Sequence, residues 1–212
     1  MGSATEEMKQ QNFVVACGWS ENADLTFLSD QKHLIIFVKD GYSLFKANAE
    51  LLTNRLANIS KKTTIIIAHP DSPYMDAIAN MDDNKKGKPE SQRSDSLQAV
   101  RLLQEIQQKL ASDDQGDISL LNRVTFMGHH NVPTWTGFVG DDIARVNLYP
   151  TRPYRGSLLC LTGQKNGKQD SGMVYKGALT DCDEILAEAK KDPRNNLWNY
   201  QLPSTMPDLR QG

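Results

Sequence analysis

The chain has 212 residues, 39% hydrophobic and 24% charged, and its 24 Lys and Arg against 26 Asp and Glu leave a net charge of −2. This mixture supports one folded domain of ordinary size and excludes a disordered or collagen-like chain. The near-neutral balance gives no global pull towards nucleic acid, and apolar runs such as 34–38 are far too short to span a membrane, so neither is an expected partner.

The start, Met1-Gly2-Ser3-Ala4, resembles a tag scar, and 1–11 as a whole is read as a disordered leader without the basic-then-apolar layout of a signal peptide. The three cysteines, Cys17, Cys160 and Cys182, are odd in number and irregular in spacing. That argues against a disulfide framework or a four-ligand zinc site, and for buried free thiols in a reducing, cytoplasmic compartment.

Residues 12–191 are read as a single domain. The apolar, β-branched stretch 12–19 predicts a strand, and the continuous apolar run 34–38 predicts a strand covered on both faces. Asp40-Gly41 supplies a turn, after which Leu44, Phe45, Asn48, Leu51, Leu52, Arg55, Leu56 and Ile59 form one helical stripe. Thr-Thr-Ile-Ile-Ile-Ala at 63–68 predicts the next buried strand, completing a βαβ unit with parallel strands. Ser72-Pro73 suits the start of a short helix over 73–80, and the charged, aperiodic segment 81–93 reads as a loop. A long helix is expected over 94–111, an acidic loop over 112–117 and a strand over 123–127.

Beyond Val132 the texture changes to short strands at 135–139, 143–149 and 157–162, separated by turns. A Gly/Lys/Gln turn at 164–172, a strand at 173–176 and a helix over 181–191 follow. The Pro-containing tail 192–212 is expected to lie extended on the surface. Its apolar residues Leu197, Trp198, Tyr200, Leu202 and Met206 could anchor either a homodimer or the chain's own domain. The fold class is α/β: a mixed sheet with a parallel βαβ N-terminal part, antiparallel C-terminal strands and helices on both faces.

In a wound sheet, ligands bind beyond the carboxyl ends of the strands. Four predicted strands exit into polar residues there: Ser20; Asp40 and Ser43; His69, Asp71 and Ser72; His129 and His130. Helix starts at Ser43 and Ser72 would suit an anionic ligand such as a phosphate or nucleotide, with Ser20, Asp40, Ser43 and Ser72 as binding residues. His129 and His130 are adjacent, so on a strand they face opposite sides, and no metal site or cofactor is assigned. P-loop, GxGxxG, HExxH, GxSxG and paired CxxC motifs are absent from the sequence.

The element order, with Gly41-Tyr42-Ser43-Leu44-Phe45 opening a helix and Thr64-Ile65-Ile66-Ile67-Ala68-His69-Pro70-Asp71-Ser72 ending a strand, resembles the phospholipase D-like superfamily. It is most similar to the bacterial regulatory or defence-type domains of that superfamily, over about residues 18–191. The resemblance implies dimerisation and an HxKxxxxD catalytic motif, in which His is the nucleophile and Lys holds the phosphate. At the matching spacing this chain has Thr134, Thr136 and Asp141, so only the aspartate agrees. A threonine cannot replace the imidazole nucleophile without a base of its own. Two readings follow: a catalytically degenerate sensor or interaction module for an anionic ligand, or a hydrolase of phosphodiesters or nucleotides rebuilt around His129, His130, His69 and Asp71.

Overall fold

The computed structural model describes residues 16–17, 30–80, 86–112, 117–148, 159–166 and 169–204. Seven strands form one mixed sheet: β1 (Ala16–Cys17), β2 (His33–Phe37), β3 (Lys62–Ala68), β4 (Val124–His129), β5 (Trp135–Val139), β6 (Ile143–Leu148) and β7 (Leu159–Gln164). Their order is β1-β7-β6-β5-β2-β3-β4. The run β2-β3-β4 is parallel, with Leu34 opposite Thr63 and Ile65 opposite Phe126, and every other pairing is antiparallel. The expected α/β class, with its parallel first part and antiparallel second part, is the one observed.

Alternation along each strand divides the apolar side chains between two cores. Leu34, Ile36, Ile65, Ile67, Val124 and Phe126 face one side. They meet Phe45, Leu52, Leu56, Val100, Leu103 and Ile106 from α1 (Tyr42–Ala47), α2 (Ala49–Ala57) and α4 (Pro89–Ser112). Phe37, Ile66, Trp135, Val139 and Val146 face the other side, under Tyr175, Ala178 and Cys182 of α6 (Gln169–Ala189). Two further helices, α3 (Met75–Ala79) and α5 (Asp117–Arg123), lie in the connection from β3 to β4.

Several local readings are corrected. The single helix expected from Leu44 onwards is broken at Asn48, whose Nδ2 donates to the Leu44 carbonyl at 2.8 Å and displaces the backbone partner that a continuous helix would use. α4 begins at Pro89 instead of 94, because a proline in the first turn costs no hydrogen bond there and Gln92 is fully buried. The loop expected over 81–93 is thus helical from Pro89, and residues 81–85 lie outside the described residues. α5 fills the gap between the loop read over 112–117 and the strand read from 123, taking in Asp117 and Arg123, so β4 begins at Val124.

The largest error concerns 164–176, read as a turn and a strand. Helix α6 starts at Gln169, because Val174, Tyr175, Ala178, Leu179, Cys182, Ile185 and Leu186 make a stripe that only a helix can lay on the second face of the sheet. Gly172 and Gly177 weaken the local helix signal and hide this stripe from a short window.

Residues 192–204 of the C-terminal tail pack on the domain and are not loosely extended. Residues Pro193–Asn195 and Leu197–Asn199 form 3-10 turns, and Asn196 makes an antiparallel bridge to Met127 on β4. Leu197 is completely buried, and Trp198 donates its indole N–H to the Val124 carbonyl at 3.1 Å. Gln104 Nε2 of α4 donates to the carbonyls of Leu197, Trp198 and Tyr200. This strap packs Leu197 into the chain's own first core, with Trp198, Tyr200 and Leu202 partly buried against it. Met206 lies outside the described residues. Cys182 is a buried free thiol, its pKa pushed up by burial and then by Asp183 and Asp181. The side chains of Cys17 and Cys160 lie outside the described residues. Among the described residues no helix is long and apolar enough to cross a membrane.

Candidate functional site

Because β2, β3 and β4 are parallel, their carboxyl ends share one edge of the sheet. Ala68 lies opposite His129, the His69 N–H donates to the His129 carbonyl at 2.8 Å, and the Ala68 N–H donates to the Lys39 carbonyl at 2.8 Å. Asp40, His69, Asp71, Ser72, His129 and His130 are thus brought to the same end, as the sequence predicts. Ser20 lies outside the described residues.

The imidazoles divide between the two faces of the sheet. His129 turns towards the second core, with its ring 5.3 Å from Phe37. It is almost fully buried, and neither ring nitrogen makes a hydrogen bond of good geometry. Burial first, and then His130, pulls its pKa down to about 4, and the nearby backbone of Asn131 offsets this only in part. It is neutral at pH 7.

His69 and His130 pair on the opposite face, with ring centroids 4.8 Å apart. His69 Nδ1 accepts the Asp71 N–H at 3.1 Å, which leaves its proton on Nε2, facing the Arg194 carbonyl at 3.4 Å. His130 Nε2 meets Asn195 Oδ1 at 2.9 Å, and its Nδ1 is buried without a partner. Gly128 makes room for the pair: a Cβ there would come within 2.6 Å of His69 Cδ2. Tyr200 closes the cluster, edge-on to His69 at 5.5 Å and donating its hydroxyl to Asp71 Oδ2 at 3.0 Å. Burial, followed by the charge of Asp71, pushes the Tyr200 phenol up to about 12.

The expected anion-binding residues are engaged otherwise. Asp40 accepts from Gln92 Nε2 at 3.2 Å and from the Tyr42 N–H at 3.2 Å. The Ser72 hydroxyl is buried, facing the His130 carbonyl at 3.4 Å and accepting the Tyr74 N–H at 3.2 Å. Ser43 is exposed on α1, away from these bonds.

The residues matching the catalytic spacing do not gather. β5 runs antiparallel to β2, so Thr134 and Asp141 fall at opposite ends of the sheet. Thr134 is exposed, whereas Thr136 is buried with its hydroxyl unpartnered. Asp141 ties down the amino end of β2, accepting from the Lys32 N–H at 2.7 Å and meeting His33 Nδ1 at 2.7 Å. Among the described residues His33–Asp141 is the pairing of imidazole with carboxylate, and no carboxylate is hydrogen-bonded to His69, His129 or His130.

Next to the histidines, but on the α6 face, lies a cleft of about 290 Å³ between the 131–134 loop and α6. Phe37 and Trp135 line it with Asp181 and Glu184, and Trp135 Nε1 donates to Asp181 Oδ2 at 2.9 Å. The charged residues in its lining are acidic, which does not suit an anion. None of the three imidazoles opens into it.

Sequence reasoning missed Asn195, the Arg194 carbonyl and Tyr200 as members of the cluster. The aromatic-rich stretch 195–200 signalled burial, but its partner could not be read from spacing. No protein-family model matches the chain, and none of the curated proteins searched matches it.

Proposed function

We propose that the chain is a catalytically degenerate, phospholipase D-like module that acts by binding a phosphate- or nucleotide-type ligand, not by hydrolysing one. One observation carries the non-catalytic part of this reading. At the carboxyl end of the parallel strands, His69, His129 and His130 are neutral-favouring or amide-bonded rings that no carboxylate among the described residues orients, and none of them lines the cleft beside α6. A general base needs both a group to orient it and access to the substrate proton. The ligand class comes from the resemblance alone.

The test is turnover of a bis-aryl phosphodiester by the purified chain. Negligible hydrolysis is expected, together with a rise in Tm on adding a phosphorylated nucleotide, since a ligand that binds only the folded state stabilises it. Turnover that disappears in His129→Ala or His130→Ala would refute the module and favour the rebuilt hydrolase.

A further inference from the structure

The strap and the His69–His130 pair are built around one protonation state. Both rings meet the strap through Nε2: His69 faces the Arg194 carbonyl at 3.4 Å, and His130 faces Asn195 Oδ1 at 2.9 Å. Both Nδ1 atoms require the neutral ring. That of His69 accepts the Asp71 N–H at 3.1 Å, and that of His130 is buried with no hydrogen-bond partner among the described residues. A proton on the first would set two donors against each other, and a proton on the second would bury a charged donor unpaired. With centroids 4.8 Å apart, two imidazolium rings would also repel.

We propose that this pair is a proton-operated latch, whose protonation swings the 193–196 turn away from the carboxyl end of the sheet while Leu197, Trp198 and Tyr200 stay anchored. The latch goes beyond the binding reading and does not depend on it.

The surrounding charges act in both directions. Asp71, in the turn after β3, and Asp192, at the root of the strap, favour a charged His69. Burial and His130 oppose it and prevail, so the His69 pKa lies below the ordinary histidine value. His129 on β4 is a third imidazole that Coulombically opposes charge on the cluster. Arg194 is held by Asp192 in a bidentate pair, and Arg93 of α4 donates Nε to the Pro70 carbonyl at 3.0 Å. Tyr200 remains neutral and donates its hydroxyl in a hydrogen bond to Asp71. Among the described residues the turn is held by the isolated Met127–Asn196 bridge and by Asn195 Nδ2 donating to the Ala189 carbonyl at 3.1 Å, whereas β3 and β4 share a continuous ladder, so opening stays local.

The test is amide hydrogen exchange on the full chain from about pH 7.5 to about pH 5, corrected for the intrinsic pH dependence of exchange, with histidine Cε1–H titration by NMR in parallel. The amides of Arg194, Asn195 and Asn196 are expected to lose protection by about tenfold or more, with β3 and β4 unchanged. Their midpoint should coincide with the titration of His69 or His130. His69→Gln/His130→Gln, uncharged at every pH, should stay protected at pH 5, and His130→Gln alone serves if the double variant does not fold. Protection that is independent of pH would overturn the latch. So would its loss together with that of the sheet, or a response that survives removal of the titrating rings.

Discussion

At the scale of single residues, His129 is the costliest polar group at this end of the sheet. Its pKa is depressed in the folded chain, so the unfolded chain binds the proton more readily. Stability is therefore full above pH 6.5, falls as the pH drops from 6.5 towards about 4, and changes no further through this residue below that. The interval corresponds to roughly 3 kcal/mol. His129→Leu removes a desolvated imidazole with no good hydrogen bond, so at pH 7 stability should change by less than about 1 kcal/mol. Urea melts at several pH values check both statements. An acid slope as steep in His129→Leu as in the wild type would assign the loss to other groups.

At the scale of elements, the helical connection between β2 and β3 depends on its first residue. Gly41 has φ +77°, and a Cβ there would meet Phe45 Cε2 at 2.5 Å. The Phe45 ring is itself locked in the first core, so it cannot give way freely. Gly41→Ala combines a left-handed backbone with overpacking and should cost about 2–4 kcal/mol, read as a lowered urea midpoint. Asn48 is a different case. Its side chain, not strain, ends α1, and this allows α1 and α2 to wrap over the sheet as two short rods. The same competition between side chain and backbone is invisible to a hydrophobic stripe, which passes through Asn48 without interruption.

At the scale of the whole molecule, the strap is part of the fold. It covers the edge strand β4 and contributes Leu197 to the first core, where Trp198 packs edge-on against Phe126 at 5.2 Å. Leu197→Ala should therefore destabilise the entire chain by about 2–5 kcal/mol, with an unchanged denaturant slope. A loss confined to exchange of the strap amides would show instead that it docks as an independent flap. Tyr200→Phe should cost far less, about 0.5–1.5 kcal/mol, because it removes one hydrogen bond to an exposed carboxylate and keeps the ring against His69.

The sequence alone determined the class of fold and the end of the sheet where polar residues collect. Runs such as 34–38 and 65–68 are apolar at every position, so they must be covered on both faces, and a helix between them forces parallel pairing. Parallel strands end together, so the position of His69, Asp71 and His129 follows from chain direction. Two things were decided only by tertiary structure. One was the conformation of 169–176, where local signals for strand and helix are nearly balanced and packing beneath Tyr175 and Ala178 tipped it to helix. The other was the fate of the histidines. Whether an imidazole is a base or a packed ring depends on what stands within about 3 Å of its nitrogens. Here that is a carbonyl and an amide from a strap more than a hundred residues beyond His69 in the chain and over sixty beyond His130.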